Sequence, residues 1–375
     1  MRPIQMVDLK KQYHNIKAEV DKAVLDVLES SAFINGKPVQ DFALQLSSYL
    51  GVKHVIPCAN GTDALQIAMM ALGLEPGDEV ITPSFTYIAT TEVIALLRLK
   101  PVFVEVDAKT FCIDPEAIKK AITPKTKAIV PVHLYGHVCQ MEEIMAIANE
   151  HQLYVIEDNA QAIGADYFFA NGSKKKTGSI GTIGATSFFP SKNLGCYGDG
   201  GAIFTNDDAL ANRLKMVANH GQSKRYYHEV VGCNSRLDTV QAAVLNVKLR
   251  KLDAYITARR SVADYYDKAF AHNNKITTPF RAAYGTHVFH QYTLLLEGVD
   301  RDGLNQYLAD KQIPSMIYYP VPAHRQQMFA AFGGANYKLA TTDWLTERVI
   351  SLPIHTEMET DQLEYITKNV LDYIN

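Results

Sequence analysis

A lysine that does chemistry has to be taken out of water, and the stretch TSFFPSKNLGCYGDGGAIFTND (186–207) puts Lys192 where that could happen. Phe188, Phe189 and Pro190 lead into it, and Gly195, Gly198, Gly200 and Gly201 follow, the mark of backbone packed close to something. An ordinary lysine lays its stem on apolar surface and leaves its ammonium in water. A buried one needs a partner, a shifted pKa or a covalent bond. An ε-amine in a dry pocket can form a Schiff base with an aldehyde and, once displaced, act as a general base beside it.

Two other stretches could serve the same centre. In LYVIEDNAQAIGA (153–165) Asp158 ends an apolar run, so its carboxylate meets poor solvation and calls for a cation. A protonated pyridine nitrogen is such a cation, and an Asp held against it keeps the ring an electron sink. Capping the next turn is the plainer use of the same residue. Gln161, three residues on, reaches the same place. In CANGTDAL (58–65) a glycine turn leads into a helix, and the free N–H groups around Gly61 and Thr62 suit a phosphate. Thr62 could equally be a plain N-cap. A rival centre is VHLYGHVC, where His133, His137 and Cys139 suggest a metal hydrolase, but Gly136 and the strand-to-loop position disfavour a helical metal site. No metal is expected.

The elements that would position these groups alternate. KHVIPC (53–58), DEVITP, KPVFVEVD, TKAIVPVHLYG and LYVIED read as strands. Between them, TDALQIAMMALGL (62–74), TYIATTEVIALLRL, DPEAIKKAI and MEEIMAIANEH read as helices, with Asp114 as N-cap and Pro115 at the first helical position. Such alternation implies a parallel sheet covered on both faces. FANGSKKKTGSIGTIG (169–184) reads as a polar loop or hairpin. After Asn234 comes one long helix or two joined ones, with Leu245, Leu249, Leu252 and Ile256 along one face. HVFHQYTLLLEG, RDGLNQYLADKQI and PSMIYYP then suggest strand, helix and strand. The expected fold is α/β: a large domain, 1–250, with a mostly parallel sheet, and a small α+β domain, 251–375.

The bulk numbers narrow the function. The 375 residues carry 37 Lys and Arg against 40 Asp and Glu, a net charge of -3, with no basic block beyond Lys174–Lys176, which argues against nucleic acid as a partner. Five cysteines without a C-x-x-C pair read as reduced thiols. The first twenty residues are charged and amphipathic and no stretch has the length of apolar sequence a membrane span requires, so a cytoplasmic protein without membrane contact is expected.

Several motifs in order, ANGTDAL, DEVITPSFTYIAT, IEDNAQAIGA, TSFFPSKNLGCYGDGGAIFTND and VGCNSRLDTVQAA, resemble the pyridoxal-phosphate-dependent sugar aminotransferases of the DegT/DnrJ/EryC1/StrS family. The likeness runs from IQMVDLKKQY to YYPVP. It implies fold type I, the aspartate-aminotransferase-like fold, with pyridoxal 5'-phosphate as cofactor. Within the family the chain looks most like the enzymes that aminate C3 of UDP-2-acetamido-3-oxo-glucuronate for surface polysaccharides such as O-antigen, with L-glutamate as donor. A dTDP-keto-deoxyhexose aminotransferase is the alternative. The family's dehydratases carry a histidine in place of the Schiff-base lysine, and Lys192 speaks against them and against a non-catalytic cofactor-binding protein.

By the same resemblance Lys192 would hold the cofactor aldehyde and then move the proton, Asp158 would pair with the ring nitrogen, and Gln161 would bond the ring hydroxyl. Tyr87 would stack on the ring, with Phe85 the second choice. Gly61, Thr62 and Ser187 would hold the phosphate. Asn234 would reach the cofactor phosphate of a partner subunit, making a homodimer with shared active sites. Arg236 would take the sugar carboxylate with two parallel hydrogen bonds, a surface salt bridge being its plain alternative. Many relatives carry histidine where this chain has Tyr318, near the sugar, and His324 or His290 would compensate unless they are structural.

Overall fold

The computed structural model describes all 375 residues. Helices α1 (Leu9–Ser30) and α2 (Lys37–Leu50) precede β1 (His54–Cys58). The alternation follows as α3 (Gly61–Ala71), β2 (Glu79–Pro83), α4 (Ala89–Leu96), β3 (Lys100–Val104), α5 (Pro115–Ala121), β4 (Thr126–Ile129), α6 (Met141–Glu150) and β5 (Tyr154–Asp158). Asp114 caps α5 by accepting from the Glu116 amide at 2.9 Å, with Pro115 next in the chain as expected. β6 (Asp166–Phe168) and β7 (Lys174–Lys176) form an antiparallel hairpin. β8 (Ile183–Ser187) and β9 (Gly201–Thr205) flank the Lys192 loop, and α7 (Asp208–Ala218) follows.

A seven-stranded sheet has the order β1-β9-β8-β5-β4-β2-β3. β3, β2, β4, β5 and β8 run parallel, whereas β9 is antiparallel to both β8 and β1. That single reversal, within the mostly parallel sheet expected, has a simple cause: residues 188–200 join β8 to β9 without a crossover helix, so the chain returns beside itself. Alternate strand residues serve opposite faces. Val55, Ile81, Ile129 and Val155 pack with α2, α6 and α8, while Ile56, Val80, Ala128 and Ile156 pack with α3 and α7.

A two-stranded ribbon, β10 (Gln222–Lys224) and β11 (Tyr227–His228), precedes α8 (Thr239–Leu249) and α9 (Leu252–Phe270), so the long helix is two joined ones. Leu245, Leu249, Leu252 and Ile256 are all buried in one cluster, as their spacing predicts. Further along α9, Val262, Tyr266 and Phe270 enter a different core. That second core also holds residues of β13 (Tyr292–Leu296), α10 (Arg301–Asp310), β14 (Val349–Leu352) and α12 (Thr360–Ile374). The antiparallel sheet there is completed by β12 (Ile276–Thr277), and α11 (Ala340–Thr346) precedes β14.

PSMIYYP is not the strand its apolar run suggests. Met316 alone bridges to Ser351. Pro314 and Pro320 bracket the run and have no N–H to give a ladder, and the rings of Tyr318 and Tyr319 turn to the cluster around Phe85 and Tyr135.

Candidate active site

The carboxyl ends of β2, β5 and β8 and the N-terminus of α3 meet at one edge of the large sheet, and the sequence places a functional group at each. Lys192 lies in the loop after β8. Its amide donates to the Phe189 carbonyl at 2.8 Å. The loop winds so tightly that a Cβ on Gly195 would lie 2.3 Å from the Pro190 carbonyl oxygen, which excludes a side chain there. Two further contacts pin it: Asn193 Nδ2 donates to the Val288 carbonyl at 3.0 Å, and Nζ of Lys248, a second buried lysine, donates to the Gly195 carbonyl at 2.6 Å.

Part of the Lys192 side chain is open to solvent, but the ammonium sits in dry surroundings, and the ammonium sets the titration. Burial lowers its pKa to about 8, and the Asp158 carboxylate pulls the other way. A hydrogen-bonded ion pair would have raised it. The amine is therefore poised to act as a nucleophile or a base.

Asp158, the last residue of β5, is 5 % exposed. Oδ1 accepts from the Ala160 amide at 3.1 Å, so it does brace the next turn. Oδ2 accepts from Thr90 Oγ1 at 2.7 Å. Gln161 is likewise held from two sides: Oε1 accepts from the Tyr135 amide at 2.6 Å, and Nε2 donates to Tyr319 Oη at 3.1 Å. Burial pushes the Tyr319 hydroxyl well up, so it stays protonated.

At α3 the N-cap is Asn60, whose side chain accepts from the Asp63 amide at 2.8 Å, so Thr62 is not the cap. The Gly61 and Thr62 amides are left with no helical acceptor. A Cβ on Gly61 would come 2.7 Å from Ser187 Cβ. Backbone from α3 and β8 thus closes on a small space that a side chain would fill, with unpaired amides at its edge, which fits a phosphate.

The two ring-stacking candidates part company. Phe85 is fully buried against Phe111, Tyr135 and Tyr319, whereas Tyr87 is 56 % exposed, with its ring centroid 6.0 Å from that of Tyr319. Only Tyr87 presents a ring with a free face.

Asn234 and Arg236 lie in a cleft that Lys192 and Asp158 do not line. This polar cleft, of about 460 Å³, is also lined by Ile34, Ala59, Gly198 and Asp199. Arg236 precedes α8 instead of riding on a helix surface, and the chain's ion pairs leave it out. Tyr318 packs partly buried beside Tyr319, its carbonyl accepting from the Tyr135 hydroxyl. His324 is 2 % exposed, with Nδ1 2.7 Å from Ser84 Oγ and Nε2 facing Asp343. His290 is buried, and burial, then the charges of Lys192 and Arg259, keep it neutral.

Of the rival metal centre, Cys139 donates its thiol to the Val132 carbonyl at 3.0 Å and His133 is likewise spent on structure, while His137 Nε2 is left without a partner. His133 Nδ1 accepts from the Cys139 amide at 3.1 Å, which leaves Nε2 to donate to Glu157 at 2.9 Å. Glu157 also accepts from the Gly178, Ile180 and Gly181 amides. Sequence reading missed Thr90, Tyr135, Tyr319 and Lys248. A hydroxyl in the first turn of the helix after β2 was the one local sign of Thr90.

The family model described as the DegT/DnrJ/EryC1/StrS aminotransferase family matches residues 14–371. The chain belongs to this family. It is an aminotransferase. A "Pleiotropic regulatory protein" of Geobacillus stearothermophilus is 44% identical over 99% of this chain and 98% of its own. The UDP-2-acetamido-2-deoxy-3-oxo-D-glucuronate aminotransferase of Pseudomonas aeruginosa is 44% identical over 97% of this chain and 98% of its own. Among solved structures, S. venezuelae DesV in complex with a ketimine intermediate superposes with a TM-score of 0.94 at 37% identity, covering 100% of this chain and 99% of that one.

Proposed function

We propose that this aminotransferase uses pyridoxal 5'-phosphate to move an amino group from L-glutamate to C3 of a nucleotide-linked keto sugar of the UDP-2-acetamido-3-oxo-glucuronate type, for surface polysaccharide such as O-antigen. The observation that carries the reading is the dry Lys192 ammonium, its pKa lowered to about 8, across from the buried Asp158 carboxylate. Bound there, the cofactor would supply an aldehyde to carry the amino group and a ring to take up an electron pair.

The chain's own residues do the rest. Lys192 would hold the cofactor's aldehyde group and, as a free amine, would serve as the base and acid that moves the proton. Asp158 would pair with the ring nitrogen, and Gln161, braced by Tyr135 and Tyr319, would bond the ring hydroxyl. Gly61, Thr62 and Ser187 would hold the phosphate and Tyr87 would cover the ring. Arg236, free of any carboxylate of its own chain, would bind the sugar acid; Tyr318 would serve the sugar too, whereas the ring of His324 is tied to Ser84.

The active unit in this reading is a cytoplasmic homodimer, in which Asn234 reaches the partner's cofactor phosphate. Each subunit divides near residue 250. No helix is long and apolar enough to cross a membrane.

The first experiment is an absorption spectrum of the protein with pyridoxal phosphate, before and after L-glutamate, beside Lys192→Ala. A visible band that glutamate converts to a near-ultraviolet one, absent from the variant, is expected. A band untouched by glutamate and other amino donors would overturn the reading. The sugar is tested with Arg236→Lys, which keeps the charge but not the two-pronged fork. KM for the acidic keto sugar should rise about tenfold, with the neutral analogue unaffected. Equal effects on both sugars would remove Arg236 from carboxylate recognition.

A further inference from the structure

The family likeness assigns Asp158 but not what holds its carboxylate. Thr90, in the first turn of α4, is 1 % exposed, and its hydroxyl lies 2.7 Å from Asp158 Oδ2. A carboxylate accepts only, so Thr90 is the donor. Its own oxygen lies 3.3 Å from Thr86 Oγ1, and with Thr90's proton committed to Asp158, Thr86 donates to Thr90. Thr86 is 4 % exposed. Two hydroxyls in series, out of water, thus point their protons toward one carboxylate oxygen while the Ala160 amide occupies the other.

We propose that Thr90, backed by Thr86, is a positioning residue for Asp158, fixing the plane of its carboxylate. The inference rests on the reading of Asp158 as the partner of the ring nitrogen. A carboxylate has about four lone-pair directions. The bonds from Thr90 and Ala160 take one on each oxygen and leave the remainder for the ring N–H, so the ring is met by an acceptor already oriented. A bond to a charged group, made in a dry place and strengthened by the donor behind it, is among the stronger neutral-donor bonds available. Valine in place of Thr90 keeps the shape and removes only the donor.

The test compares wild type, Thr90→Val, Thr90→Ser and Asp158→Asn. In apoprotein labelled with 13C-aspartate, infrared difference spectra against Asp158→Asn isolate the Asp158 carboxylate stretch. Thr90→Val should move that band to higher frequency and Thr90→Ser should return it, since serine restores the hydroxyl but not the methyl. In the loaded enzyme, Thr90→Val should lower kcat of the glutamate half-reaction by about tenfold with KM little changed, and serine should recover most of the loss. If the valine substitution does not yield folded protein, Thr86→Val gives a smaller band shift in the same direction. A carboxylate band unmoved in both valine variants would overturn the proposal. Asp158→Asn turning over like wild type would instead sink the role of Asp158 and leave the band shift standing, so the two failures are distinguishable.

Discussion

Lys192 combines two properties that conflict in water: it must be neutral to attack an aldehyde and still carry protons near neutral pH. Desolvation reconciles them by lowering the pKa from 10.5 to about 8, the Asp158 charge opposing part of the shift. At pH 7 about a tenth of the amine is then free, against on the order of one part in three thousand for an ordinary lysine. The rate at which apoprotein recaptures pyridoxal phosphate should therefore climb through pH 6 and 7 and level off above about 8. A rate still rising tenfold per unit beyond pH 9 would make Lys192 an ordinary lysine. Because Asp158 holds the pKa up, Asp158→Asn should move the midpoint of that rise below the wild-type value, read in the same stopped-flow titration. The sign is diagnostic: a midpoint that stays or rises would mean that the two groups do not sense each other.

At the scale of elements, site and fold meet where α3 and β8 touch. Gly61→Ala puts a methyl 2.7 Å from Ser187 Cβ, and neither partner is the free end of a flexible side chain. Such overpacking costs about 1–3 kcal/mol. Pyridoxal phosphate affinity should fall about tenfold or more as the phosphate space is filled, with melting temperature lowered by several degrees; unchanged affinity in a titration would place the phosphate elsewhere. The elements themselves were legible because central parallel strands, buried on both faces, read as apolar runs between helical patterns. The direction of β9 was not, since it is decided by the connection after β8. Lys192 stood out through its neighbours in sequence, whereas Lys248 sits in an ordinary helical pattern, and what buries it is the docking of Gly195 and Tyr197 from far along the chain. Thr90, Tyr135 and Tyr319 escaped notice for the same reason: each acquires its meaning from a contact across the fold.

For the whole molecule, one chain leaves two things unfinished. Leu25, Leu28, Phe33 and Ile34, on α1 and the turn after it, are exposed, and Leu25 also lines an apolar groove of about 650 Å³ with Leu9, Tyr13, Val20, Val24 and Tyr197. Clustered exposed apolar surface of this kind marks an interaction face. Ile34 also lines the cleft holding Asn234 and Arg236. A second copy seated on the apolar face would therefore cover these two polar residues as well, which is the arrangement in which Asn234 serves the partner's cofactor. Mixed dimers decide the point. In a heterodimer of Lys192→Ala and Asn234→Ala, shared sites leave one site with both defects and one with none. Random mixing of the two inactive proteins, half of it heterodimer, should then restore about a quarter of wild-type activity. Sites complete within each chain allow no such recovery, since every site would keep one defect, and activity at the mean of the two parents would overturn the shared arrangement. Size-exclusion chromatography with light scattering, run on the same mixture, verifies that subunits have exchanged.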